Sequence, residues 1–150
     1  MPLIKPYAQE INCYSDDRGT FVSFFDNAHM ICGDEKKPTK RVYYIYSYGR
    51  HVVRGFHFHQ HEWKNFIIVN GSAKFVALDP ENPGEVFTFV SSSRKPNLVV
   101  IPAGYANGWM SLEDETILIC ASSSTLEESI NDDIRFDPNK WGDVWTVKKR

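Results

Sequence analysis

Several things are scarce in this 150-residue chain, and each scarcity removes a class of protein. The three cysteines, Cys13, Cys32 and Cys120, are odd in number and far apart, with no Cys-x-x-Cys pair. Neither a disulfide framework nor a cysteine-based zinc or redox site is expected, and a reducing setting fits best. No apolar run approaches the ~20 residues of a membrane helix; Phe66-Ile67-Ile68-Val69 is typical. Neither charge sign is in excess, since 17 Lys and Arg face 19 Asp and Glu for a net charge of -2, so a nucleic-acid-binding surface is not expected. The segment Met1-Pro2-Leu3-Ile4-Lys5 lacks the basic-then-apolar pattern of a leader, which points to the cytoplasm. Helical periodicity is also scarce. It is hinted at only in the Asn27 to Lys36 region and over Thr125 to Ile130, where Ser124 or Thr125 can cap and Glu127 and Glu128 follow.

What is present is β-branched and aromatic residues in short runs. Strands are expected at 20–25, 41–47, 51–59, 65–70, 73–78, 86–91, 98–101 and 116–121. Turn chemistry separates them at Tyr48-Gly49-Arg50, Asp79-Pro80-Glu81-Asn82-Pro83-Gly84 and Ala103-Gly104, and Asn70-Gly71 between two apolar runs signals a hairpin. Many short strands with frequent turns predict an all-β barrel or sandwich, and the length suits one domain over 1–150. Trp141 and Trp145, in a charged C-terminal stretch, are expected to pack across the barrel.

The chemistry-bearing stretch is Arg54-Gly55-Phe56-His57-Phe58-His59-Gln60-His61-Glu62-Trp63-Lys64. Side chains alternate along a strand, so His57 and His59 share one face and Phe56 and Phe58 the other. Core histidines are the ordinary alternative for such a pair. His57-x-His59, followed by Lys64 and Gly71, has the spacing of the first cupin metal motif, with lysine where the carboxylate ligand belongs. Pro102-Ala103-Gly104-Tyr105-Ala106-Asn107 has the spacing of the second motif, with Asn107 where the last histidine belongs. A cation and an amide in two of four ligand positions imply no metal and no cofactor.

Asp17-Arg18-Gly19-Thr20-Phe21, Val53-Arg54-Gly55-Phe56-His57-Phe58, Ile101-Pro102-Ala103-Gly104-Tyr105-Ala106 and Ile134-Arg135-Phe136-Asp137-Pro138 occur in this order. Together they resemble the dTDP-4-dehydrorhamnose 3,5-epimerase superfamily. Lys40-Arg41-Val42-Tyr43-Tyr44-Ile45-Tyr46, His59 and Asn70-Gly71-Ser72 are similar instead to the related nucleotide-sugar 3,4-ketoisomerases. The resemblance implies a double-stranded β-helix (cupin, or jelly-roll barrel) that abstracts a proton next to a sugar ketone. It implies His57 as base, Asp137 as the carboxylate orienting it, and Lys64 as the cation stabilising the enolate oxygen. It also implies Arg54 on the substrate diphosphate, and Arg18 and Phe21 reaching a neighbour's nucleotide through a swapped N-terminal strand of a homodimer.

This chain departs from the epimerase pattern in places. The tyrosine that serves the epimerases as general acid is absent from Ser122-Ser123-Ser124-Thr125-Leu126. Tyr43, Tyr44 and Tyr105 are the other candidate donors; Tyr44 is grouped with the catalytic set, and Tyr43, Tyr105 and Asn107 with the substrate contacts. His59 is the natural second acid or base for a ketoisomerase. The expected function is epimerisation of a nucleotide-linked 4-keto sugar at carbon 3, with carbon 5 as a second candidate centre. The rivals are a 3,4-ketoisomerase, a non-catalytic sugar-binding cupin, and a metal-dependent cupin using His57, His59 and His61.

Overall fold

Fourteen short strands and one helical turn make up the described part of the chain, residues 4–25, 29–32 and 35–150 of a computed structural model. The first strands are Tyr7–Glu10 (β1), Cys13–Asp16 (β2), Gly19–Val22 (β3), His29–Cys32 (β4) and Glu35–Pro38 (β5). The barrel proper follows with Arg41–Ser47 (β6), Val53–Phe58 (β7), Lys64–Asn70 (β8), Ser72–Asp79 (β9), Asn82–Ser92 (β10), Asn97–Ile101 (β11), Ala106–Ser111 (β12) and Thr116–Ser122 (β13). Helix α1, Leu126–Asn131, and β14, Ile134–Arg135, come last. Among the described residues two five-stranded antiparallel sheets form, in the orders β1-β11-β8-β13-β6 and β10-β9-β12-β7-β14. From β6 to β9 the chain changes sheet at every connection, which winds it into the double-stranded β-helix expected of a cupin barrel.

Three apolar clusters hold this arrangement. The barrel interior is filled from both sheets, with Phe66, Ile68, Phe75, Trp109 and Leu118 all 5% exposed or less. Residues of opposite strand parity face outward and are covered. Ile67 and Val100 lie under the N-terminal segment around Val22 and Phe24, and Phe56 and Val76 lie under the C-terminal tail. The two tail tryptophans sandwich Phe56, with ring centroids 5.1 Å (Trp141) and 5.2 Å (Trp145) away. Packing across the barrel is therefore the role of the tail, as expected.

Three expectations need correction. Asn70-Gly71 does not close a hairpin, because β8 and β9 belong to different sheets. Gly71, at φ +79°, turns the corner between them, and a Cβ there would meet the Thr116 hydroxyl at 2.5 Å. The turn residues were read correctly, but only three-dimensional closure decides which sheet the next strand joins. The helix hinted at between Asn27 and Lys36 gives way, over the described part, to the paired strands β4 and β5; residues 27, 28, 33 and 34 lie outside the described residues. Antiparallel pairing satisfies that backbone more readily than a lone ten-residue helix, which is marginal in water. Strand β12 went unanticipated because Asn107 and Gly108 are poor strand formers, yet all six of its residues are buried between β9 and β7. Thr125 does cap α1, accepting a hydrogen bond at 3.2 Å from the Glu128 amide.

Candidate active site

Strand β7 brings the chemistry to the barrel mouth, and it does so with a bulge. His57 pairs with Asn107 of β12 and Arg54 with Trp109, so three steps on β7 oppose two on β12. An extra residue of this kind re-aims side chains. Strict alternation would put Arg54 and His57 on opposite faces, whereas both line one cavity of about 310 Å³. The bulge needs two glycines. A Cβ on Gly55 would sit 2.8 Å from the Gly108 Cα, and one on Gly108 would sit 2.6 Å from the Arg54 carbonyl oxygen.

The cavity is lined by His57, His59, Lys64, Tyr43, Asn107 and Asp133, among others. His57 Nδ1 lies 3.2 Å from Asp133 Oδ1. The same oxygen lies 3.7 Å from His59 Nε2, near enough to pair with a protonated ring but beyond hydrogen-bond distance. Burial works against ionisation of Asp133, but hydrogen bonds from Arg135 (2.9 Å) and His57 outweigh it and hold the carboxyl below its usual range. His59 is 4% exposed. Burial first, and then the neighbouring Lys64 cation, push its pKa below that of an ordinary histidine, against the pull of Glu62 and Asp133. Lys64 Nζ is 3.3 Å from His59 Nε2, so an ammonium engages the lone pair that a metal ion would need.

Asp137, expected to orient His57, does not reach it. Strand β14 pairs with β7 so that Arg135 faces His57 and Ile134 faces Phe58, and this register carries Asp133 to the histidines. Asp137 lies beyond the strand, where its carboxylate accepts the Asn139 amide at 2.8 Å. Tyr44 also departs from expectation. It alternates with Tyr43 along β6, and the inward parity belongs to Tyr43, leaving Tyr44 72% exposed on the outer face. Tyr105 is buried in the barrel core against Phe87 rather than at the cavity. His61 is exposed, with its amide held by Asp132 at 2.9 Å. Arg18 and Phe21 sit on the β2–β3 hairpin away from the cavity, Arg18 paired with Asp16 and Phe21 66% exposed.

Asn107 is held by two backbone carbonyls, of His57 at 3.3 Å and Tyr105 at 3.2 Å. Tyr43 lies beside the buried Cys120 thiol. Burial, reinforced by Cys120, pushes its phenol far above the usual range, so it stays protonated. Reading the sequence missed Asp133 and Glu62. Aligning Ile134-Arg135-Phe136 against Phe56-His57-Phe58 as a strand pair would have pointed to Asp133; no local signal marks Glu62. A larger hollow, about 760 Å³, lies outside the barrel between β9, β10 and the tail, where His51, Lys74, Asp143, Lys148 and Arg150 mix with valines and Leu112. The cavity at the barrel mouth differs in holding two histidines in direct contact with a carboxylate and an ammonium, His57 with Asp133 and His59 with Lys64.

The fold and site thus define a double-stranded β-helix protein with an acid–base cavity built on one histidine strand. The chain belongs to the dTDP-4-dehydrorhamnose 3,5-epimerase family, whose model matches residues 3–149. No curated protein matches it in sequence. Solved structures do resemble it. The 3'-monoepimerase ChmJ of Streptomyces bikiniensis in complex with dTDP-quinovose is 21% identical, with a TM-score of 0.79 over 93% of this chain and 74% of that one. The dTDP-4-dehydrorhamnose 3,5-epimerase of Bacillus anthracis with TDP and PPi bound is 19% identical (TM-score 0.76; 96% and 86% covered). The 3,4-ketoisomerase QdtA of Thermoanaerobacterium thermosaccharolyticum in complex with TDP is 21% identical (TM-score 0.68; 93% of each chain). At these identities the likeness is one of fold.

Proposed function

We propose that this protein epimerises a nucleotide-linked 4-keto sugar at carbon 3, with carbon 5 as a second candidate centre. The observation that carries the reading is the 3.2 Å contact between His57 Nδ1 and Asp133 in a cavity that also holds Lys64. With Nδ1 turned to the carboxylate, Nε2 is the nitrogen left to take a proton from the carbon beside the ketone. The electron pair released from that C–H bond moves to the carbonyl oxygen, and the Lys64 ammonium stabilises the resulting enolate. Asp133 stabilises the imidazolium, as the carboxylate does in other His-Asp pairs. Return of a proton to the opposite face inverts the centre, and Tyr43, the tyrosine lining the cavity, is the candidate donor. Arg54 has no carboxylate partner among the described residues and is suited to a diphosphate.

A second reading is supported by one specific feature, the closeness of Asp133 to both histidines, 3.2 Å from His57 and 3.7 Å from His59. Two imidazoles on one face suit a 3,4-ketoisomerase, which moves a proton between neighbouring carbons without crossing the ring. The homodimer with a swapped N-terminal strand belongs to the same proposal, and the exposed ring of Phe21 on its hairpin supports it. The free thiols of Cys13 and Cys120 suit a cytoplasmic setting. Incubation with a nucleotide-linked 4-keto-6-deoxyhexose in D₂O, followed by NMR, tests the reading. Deuterium at carbon 3 or 5 with inverted configuration is expected. Accumulation of the 3-keto isomer would establish the ketoisomerase instead, and neither exchange nor product would overturn both.

A further inference from the structure

Glu62 lies on the loop between β7 and β8, its side chain has no exposed surface, and the proposed mechanism gives it no task. Its two oxygens are used differently. Oε1 takes Arg41 Nη2 at 3.1 Å together with the Ser122 hydroxyl. Oε2 accepts the Ser129 hydroxyl at 2.8 Å and lies 3.1 Å from His59 Nδ1. That approach is off the line of a well-formed hydrogen bond, and the buried Nδ1 has no hydrogen-bond partner among the described residues. Across the ring, the Lys64 ammonium sits 3.3 Å from Nε2. An ammonium has only donors, so Nε2 must present its lone pair, and the proton of a neutral ring must then be on Nδ1, facing Glu62. The opposite tautomer would set an N–H against an ammonium and leave a carboxylate beside a bare ring nitrogen.

We propose that Glu62 is a positioning residue that holds His59 as the neutral, Nδ1-protonated tautomer, so that Nε2 anchors the Lys64 ammonium at the cavity. Glu62 acts on the reaction through two intermediaries, the imidazole and the lysine, and its contribution to rate rests on the role of Lys64 proposed above. The groups facing His59 are Glu62 on its loop, Lys64 of β8, His57 of β7, and Asp132 and Asp133 after α1. Of these, Glu62 is the acceptor beside Nδ1.

The test is ¹⁵N NMR of the histidine rings in the full chain at neutral pH, without substrate. The expected result is a pyrrole-type Nδ1 and a pyridine-type Nε2 for His59. Glu62→Gln should move both signals toward the other tautomer and lower kcat about tenfold or more, as loss of an orienting partner typically does, with KM within about twofold. Because that change leaves Arg41 unpaired, Glu62→Gln with Arg41→Gln restores the charge balance and should show the same ring signals. Should both unfold, Ser129→Ala, which removes the hydroxyl that holds Oε2 beside the ring, must still perturb His59 Nδ1. A protonated Nε2 in the unsubstituted protein, or unchanged ring signals in the folded variants, would overturn the proposal. The ring signals need no turnover, so failure of the D₂O assay would leave this inference standing, and the converse also holds.

Discussion

Along β8 the inward side chains run from Lys64 through Phe66 to Ile68, and the barrel interior changes character with them. At the mouth, Lys64 meets His59 and, past it, Asp133. Two turns of the pleat further in, Ile68 is 1% exposed among Phe75, Leu118 and other apolar side chains. What differs is the compensation each burial requires: an apolar side chain needs only to be covered, whereas a buried ion needs partners of the right sign and geometry. Those partners come from outside the strand: His59, beside Lys64, follows β7, and the carboxylates beside the histidines are Glu62 from a loop and Asp133 from the segment after α1. Under the proposed function the apolar end carries stability and the mouth carries chemistry, so substitutions at the two ends should fail in different ways.

The sharpest contrast is His57→Ala against Ile68→Ala. The first should cost about 10² to 10⁴ in turnover while the thermal unfolding midpoint stays near that of the parent. The second should cost roughly 2–5 kcal/mol of stability while each folded molecule remains active. Denaturant titration beside deuterium-incorporation kinetics measures both, and a large midpoint loss in His57→Ala would erase the division. Lys64→Met should lower kcat about 10² to 10³-fold, the scale of one oxyanion donor. Because it also removes a buried ammonium whose neighbour is the neutral ring of His59, a variant both fully active and more stable would mean that Lys64 serves neither the reaction nor the fold.

Asp133→Asn against Asp137→Asn sharpens the comparison within four residues of chain. A loss of roughly 10 to 100-fold in kcat is expected for the first and little change for the second; the reverse would return the orienting role to Asp137. The smallest effect is on stability against pH. The folded pKa of His59 lies below its unfolded value, through burial first and Lys64 second. The unfolded chain therefore takes up a proton near pH ~6.5 that the folded chain refuses, so this contribution is full above that pH and is lost as pH falls below it. Asp133 has a depressed carboxyl pKa, and its contribution is lost only lower, below pH ~4. His59→Gln should flatten the upper of these two slopes, and an unchanged slope in urea melts across pH 7 to 5 would assign it elsewhere.

Much of the barrel was legible because its causes are local. Strands 41–47 and 116–121 stand almost at their expected limits, since alternating β-branched and aromatic residues bury one face whatever the partner. His57 and His59 sharing a face followed from the two-residue period alone. Strand β12 was illegible for the converse reason, because its Asn107 and Gly108 are chosen for close approach to β7 rather than for strand propensity.

The residues themselves determined that this chain is a β barrel of the epimerase family with a histidine strand and a lysine near it. Spacing, parity and residue type are properties of one segment at a time, and they sufficed for that much. Which carboxylate meets His57, which tyrosine faces inward and which acid lies behind His59 were decided by the tertiary structure. Asp133 lies 76 residues from His57 in sequence and 3.2 Å from it in space. A choice of that kind depends on the register of one strand against another, which no single segment contains.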